Sequence, residues 1–231
     1  MSCKSFMVLG CIAFSTAWSK PVLDFDFEGD NLGFSSKGRI MDLPGPIAPE
    51  YPGFLKTNRA LGLDGSSWLV IKDPGEISPL DFENGDSITI ETWVLPGPIG
   101  EGDNVYLIGK GRTNNKGFAA NNQNYALRLR GQGGEGCVSF LFFSRSEKDK
   151  PGDWHRWTSD YGVRPEDGWS HVAVAYEFGK PKSVKGYVNG KRVSGKWDMG
   201  GATERPPVVD DDELWIGSAL GGSRNNSFAG G

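Results

Sequence analysis

Lys185-Gly-Tyr-Val-Asn-Gly-Lys-Arg-Val193 is the stretch that decides the fold. Asn189-Gly190 stands between two β-compatible runs, and this pair favours the positive φ at both central positions that a type I′ hairpin turn demands. Period-two alternation continues on both sides. Upstream, Ser87-Ile-Thr-Ile-Glu-Thr-Trp-Val94 sets Ile88, Ile90 and Val94 on one face and Thr89, Glu91 and Trp93 on the other. Residues 105–110, 125–130, 138–144 and 169–178 read as further strands. Downstream, 213–218 alternates Leu214 and Ile216 with Trp215. Val138-Ser-Phe-Leu-Phe-Phe143 is apolar almost throughout, which predicts a central strand covered on both faces.

Nearer the start, Leu23, Phe25 and Phe27 alternate with Asp24, Asp26 and Glu28, a pattern that predicts a half-buried first strand closed by Gly29. Residues 60–65 and 68–71 predict two short strands around a turn. Between these, 30–57 is broken by prolines and glycines and reads as an irregular excursion covering one sheet. No window of a dozen residues keeps helical periodicity. The pattern predicts one all-β domain of about ten to twelve strands.

Composition agrees. The 231 residues include 34 glycines and 14 prolines against four methionines, a turn-rich usage that excludes a helical bundle. Eight tryptophans supply bulk for a core, and 37% hydrophobic with 23% charged residues excludes both a disordered chain and a multi-span membrane protein. The net charge is −4 and no run of Lys and Arg stands out along the sequence, so phosphate neutralisation on a nucleic acid is not expected.

Residues 1–19 read as a secretory signal peptide. Lys4 gives the positive start, Phe6 to Ala17 the apolar region, and Ala17-Trp18-Ser19 the small residues at the cleavage site. The alternative is a lipoprotein signal at Val8-Leu9-Gly10-Cys11. Cleavage after Ser19 leaves 24 basic and 29 acidic residues, a charge of −5, with Cys137 as the one remaining cysteine. A secreted or periplasmic protein without an internal disulfide or a membrane span follows, and Cys137 reads as a small buried hydrophobe.

Leu63-Asp-Gly65, Ser87 to Val94, Ile108-Gly-Lys110, Trp169-Ser-His-Val-Ala173, Tyr187-Val-Asn-Gly190 and Leu214-Trp-Ile-Gly-Ser218 occur in the order of laminin-G-like jellyroll modules. The chain over 22–231 thus resembles this branch of the concanavalin A-like lectin/glucanase superfamily. The resemblance implies an antiparallel two-sheet jellyroll sandwich over residues 20–231. It also implies a further strand after Phe228-Ala-Gly-Gly231, so that the last strand is missing, the domain is truncated at its C-terminus and the parent is a longer secreted protein with more domains. Residues 145–160 depart from the pattern as an insertion-like tract rich in Trp, His and charge.

Enzymes of this fold place two glutamates and an aspartate along one strand, and retaining chemistry needs carboxyl groups about 5–5.5 Å apart. That spacing is absent: Glu91 stands alone on its strand, and Asp210-Asp-Asp-Glu213 is consecutive, so its side chains alternate between faces. His155 and His171 with one cysteine make neither a triad nor a zinc site. Calcium is the metal that suits hard oxygen ligands on loops, and laminin-G-like modules often hold one. Asp210, Asp211 and Asp212 are its candidate ligands and Asp103-Asn104 a second acidic spot, with a solvated acidic turn as the alternative.

Binding is the remaining chemistry. Trp154-His155-Arg156-Trp157 gathers indoles, an imidazole and a guanidinium, the groups that stack on and hydrogen-bond to a pyranose. The spacing of three sets the two tryptophans on opposite faces of a strand, one presented and one buried. Trp93 with Glu91 is a second platform, with burial of Trp93 under the 30–57 excursion as the alternative. A non-catalytic recognition module for a glycan or an extracellular protein is expected. The alternatives are an accessory domain packed on its parent and, further off, a glycan-cleaving enzyme.

Overall fold

The computed structural model describes residues 20–27 and 33–231, so the signal peptide expected over residues 1–19 lies outside the described residues. Their main sheet has eight strands in the order β1-β4-β14-β6-β7-β8-β9-β13. These are β1 (Ser35–Lys37), β4 (Trp68–Ile71), β6 (Asn104–Lys110), β7 (Tyr125–Gln132), β8 (Glu135–Phe143), β9 (Trp154–Val163), β13 (Gly195–Met199) and β14 (Leu214–Ile216). A four-stranded sheet, ordered β12-β11-β10-β5, joins β5 (Ser87–Val94), β10 (Ser170–Glu177), β11 (Lys185–Val188) and β12 (Lys191–Val193). A ribbon of β2 (Met41–Pro44), β3 (Arg59–Asp64) and β15 (Ala229–Gly230) completes the set, and every ladder is antiparallel.

The core lies between the two larger sheets because both alternate in the required register. Ile88, Ile90, Val172, Val174 and Val188 face it from the smaller sheet. Leu127, Leu129, Phe140, Phe142 and Trp157 face it from the larger. The central position of β8 follows from its composition, since residues 136–143 are buried on both faces. The hairpin turn at Asn189-Gly190 has φ of 49° and 73°, the type I′ arrangement. Cys137 is a buried free thiol, and desolvation pushes its pKa up to about 11, away from reactivity.

Three expectations are corrected. Leu23 to Phe27 belong to no strand, although burial alternates through Asp24, Phe25 and Asp26; Phe27 turns the chain at φ 58° instead of continuing a ladder. The stretch 30–57 is not wholly irregular, since β1 and β2 lie within it. The tract 145–160 is an insertion only up to residue 153: from Trp154 it is the start of the ten-residue β9, paired with β8. The run Trp-His-Arg-Trp obscured the alternation because two polar residues sit between two indoles that face opposite ways. Ala229-Gly230 pairs with Leu63-Asp64, and Gly231 exchanges backbone hydrogen bonds of 2.8 and 3.1 Å with Leu95. No described helix is long and apolar enough to cross a membrane.

Candidate functional site

The six candidate binding residues fall in three places. Trp93 and Glu91 lie on the outer face of the four-stranded sheet, beneath the excursion. Tyr51 and Phe54 pack edge-on against the Trp93 indole at 5.5 and 5.2 Å, and Glu91 lies 3.3 Å from His171 Nε2. His155 and Trp157 point inward. His155 is 3% exposed and packs on Phe142 with ring centroids 5.3 Å apart. The Gly201 carbonyl, 2.9 Å from Nδ1, can only accept, so Nδ1 carries the proton and Nε2 accepts from Ser144 Oγ at 3.1 Å. Burial lowers the His155 pKa and keeps the ring neutral. It is a structural histidine.

Trp154 and Arg156 lie on the outer face of the eight-stranded sheet. There the register builds two rows of side chains. One runs Tyr106, Arg128, Ser139, Thr158 across β6 to β9; the next holds Ala126, Leu141 and Arg156. Trp154 packs on the small cluster of Tyr106, Ala126, Leu141 and Ala219. Phe143 meets its edge at 5.0 Å, and the Arg112 guanidinium lies over the indole face at 4.5 Å. That face of Trp154 therefore holds a cation in place. Arg112 also donates to the Tyr106 hydroxyl at 2.9 Å, which itself donates to Gln123 Oε1 at 2.9 Å.

Arg156 grips Asp198 through Nε at 2.8 Å and Nη2 at 3.2 Å. Arg130, two residues along β7 from Arg128, lies 3.9 Å from the same carboxylate, and both Arg130 and Arg156 reach Asn104 Oδ1 at 3.3 and 3.4 Å. Arg128 is 3% exposed. It donates to Ser139 Oγ at 3.1 Å and lies over the Tyr106 ring at 5.4 Å. Desolvation pulls its pKa down to about 10; the Tyr106 phenol opposes this and the charges of Arg156 and Arg112 add to it. It remains a cation at neutral pH. Arg112, Arg128 and Arg130 are the residues that sequence reading missed. The available signal was Arg128 and Arg130 in alternation with Tyr125, Leu127 and Leu129, which puts two guanidinium groups on one sheet face.

The acidic run does not fit calcium. Asp212 is fully buried and accepts from Thr113 Oγ1 at 2.7 Å, Asn122 Nδ2 at 2.9 Å and the Glu213 N–H at 2.9 Å. Asp210 accepts from Asn122 and Asn124 at 2.8 and 3.1 Å, while Asp211 is exposed. A calcium ion needs those lone pairs. The Lys110 ammonium contacts the Asp210 backbone carbonyl and the carboxylates of Asp73 and Asp81 beside it. Among the described residues no cluster of three or more His, Cys, Asp or Glu side chains is placed to hold a metal, Asp103 included. Millimolar calcium is accordingly expected to leave the melting temperature unchanged. A rise in differential scanning fluorimetry that Asp212→Asn abolishes would contradict this placement.

A family model described as the concanavalin A-like lectin/glucanases superfamily matches residues 66–231. No curated protein matches the sequence. Among solved structures, the chain is similar to the binding domain of Paraclostridial Mosquitocidal Protein 1, with 14% identity and a TM-score of 0.54 over 84% of this chain and 41% of that one. It thus spans well under half of that chain's length. It is also similar to the Ruminococcus gnavus IT-sialidase CBM40 bound to alpha2,3 sialyllactose, at 16% identity and a TM-score of 0.44 over 73% of this chain and 84% of that one. The Emp47p carbohydrate recognition domain aligns over 80% of this chain and 85% of its own, at 15% identity and a TM-score of 0.36. At 14% identity the likeness to the first of these is one of fold alone.

Proposed function

We propose that this chain, which belongs to the concanavalin A-like lectin/glucanases superfamily, is a non-catalytic carbohydrate-recognition module of a larger secreted protein. The observation that carries the reading is the outer face of the eight-stranded sheet. There Trp154, Arg156, Asn104 and Arg130 stand on rigid, paired strands with Arg112 reaching in from the loop after β6, all of them only partly buried. Guanidinium and amide groups fixed on a sheet suit the hydroxyls of a sugar, and the indole gives the face an apolar wall. Secretion rests on the pattern of residues 1–19.

The test is a glycan array and polysaccharide affinity electrophoresis with the purified chain. Binding is expected, and Trp154→Ala is expected to weaken it at least about fivefold while the fold is retained, because its removal frees Arg112 to swing from the face. If the parent binds no glycan, the domain is instead an accessory unit that packs against its parent. If glycan binding survives Trp154→Ala and Arg156→Gln but is lost in Glu91→Gln, the site lies on the other sheet.

A further inference from the structure

We infer, resting on that reading, that the glycan taken on this face is an acidic one, its anionic group held against the guanidinium groups of Arg112, Arg128, Arg130 and Arg156. The chain as a whole is acidic, at −4. Yet this face collects four guanidinium groups, and among the described residues the ion pairs that reach them all end on the single carboxylate of Asp198. Neither Arg112 nor Arg128 has a carboxylate within ion-pair distance among the described residues. The collection is a product of sheet register and is invisible as a run in the sequence. Arg128 and Arg130 share the outward side of β7, Arg156 stands one row away on β9, and Arg112 reaches in from the loop after β6 to the same Tyr106 that carries Arg128.

Three buried polar atoms at this face lack partners: Arg128 Nε, Arg112 Nε and Thr158 Oγ1. Arg128 and Thr158 belong to one row, with Ser139 between them. A cation held out of water without a counter-charge is unfavourable unless something else supplies the charge. A carboxylate or sulfate supplies it in the geometry a guanidinium fork matches best. A neutral sugar would leave the excess charge unanswered. The strands fix the arginines in advance, so little ordering is needed on binding. A field confined to one face of an acidic protein also draws anions to that face alone.

The experiment compares four probes by isothermal titration calorimetry on the intact chain: a polygalacturonate oligomer, the same oligomer fully methyl-esterified, a heparin-type sulfated oligomer, and polyglutamate. The uronate or the sulfated oligomer is expected to bind at least about tenfold more tightly than the ester. Its affinity should drop severalfold between ~50 and ~200 mM salt. Whichever of the two binds assigns the anion as carboxylate or sulfate. Arg130→Gln and Arg112→Gln should each weaken the acidic probe about tenfold and the ester severalfold less than that, so that the preference for acid over ester falls in both variants. Arg128, at the buried floor, is left intact so that folding is not in question. Equal affinity for acid and ester overturns the inference while leaving the recognition reading in place. Polyglutamate binding as tightly as the best oligosaccharide also overturns it, since the face would then read charge alone. No binding to any of the probes or to a glycan array overturns both readings.

Discussion

Trp157→Ala is expected to lower the free energy of unfolding by about 3–5 kcal/mol, the range for deleting a buried aromatic side chain. In a domain of this size that corresponds to roughly 6–20 °C in melting temperature. Trp157 is 4% exposed and belongs to the main core. Its neighbours are cut to fit it. A Cβ on Gly186 would stand 2.6 Å from the indole ring and one on Gly195 2.4 Å from it, so glycines on β11 and β13 leave the space the ring fills. Alanine at 157 leaves a cavity where the glycines of β11 and β13 carry no side chain to fill it. Trp154→Ala, on the outer face, is expected to cost far less, because only part of that indole is buried. Urea midpoints of the two variants measured side by side decide the point. Equal losses would mean that the two indoles do not divide into core and surface.

That division was legible in the sequence to a limited degree. A spacing of three along an extended chain puts Trp154 and Trp157 on opposite faces, and the sandwich makes one of those faces core. The all-β class and the Asn189-Gly190 hairpin were legible because period-two alternation and turn chemistry are local. The strand β9 was not, since its inward side carries a histidine where an apolar residue is expected. His155 tolerates the interior because Gly201 and Ser144 meet both ring nitrogens, a non-local fact. Leu23 to Phe27 failed in the opposite sense: alternation reports one-sided burial, which an extended segment lying on a core produces without any ladder. The arginine face was illegible for a further reason. Its four members are spread from residue 112 to residue 156, and only the register of β6 to β9 makes them neighbours.

The second large effect is expected at Lys110, which closes the Ile108-Gly-Lys110 motif but whose buried ion pairs no sequence pattern foretold. Its side chain is fully buried at the end of β6, 3.0 Å from Asp73 Oδ2, in contact with Asp81 and 2.5 Å from the Asp210 carbonyl. One cation thus ties together the loop after β4 and the acidic segment that leads into β14. The Asp73 side chain is itself fully buried. Burial already raises the Asp81 pKa, against the opposing pull of Lys110. Lys110→Met keeps the length and apolar stem but takes the ammonium away from the buried Asp73 carboxylate and from Asp81, and removing one partner of a buried pair costs about 3–5 kcal/mol. The loss should depend on pH. A protonated carboxyl needs no cation, so the deficit of the variant against the parent is expected to be full at pH 7 and to shrink as the pH falls through the range of Asp81, which burial raises. Adding Asp73→Asn to Lys110→Met should recover part of the stability by removing one orphan charge. Denaturant midpoints at pH 7 and near pH 4 test all three statements. A deficit that persists unchanged in acid would mean that lost packing of the lysine stem, and not the stranded carboxylates, accounts for the damage.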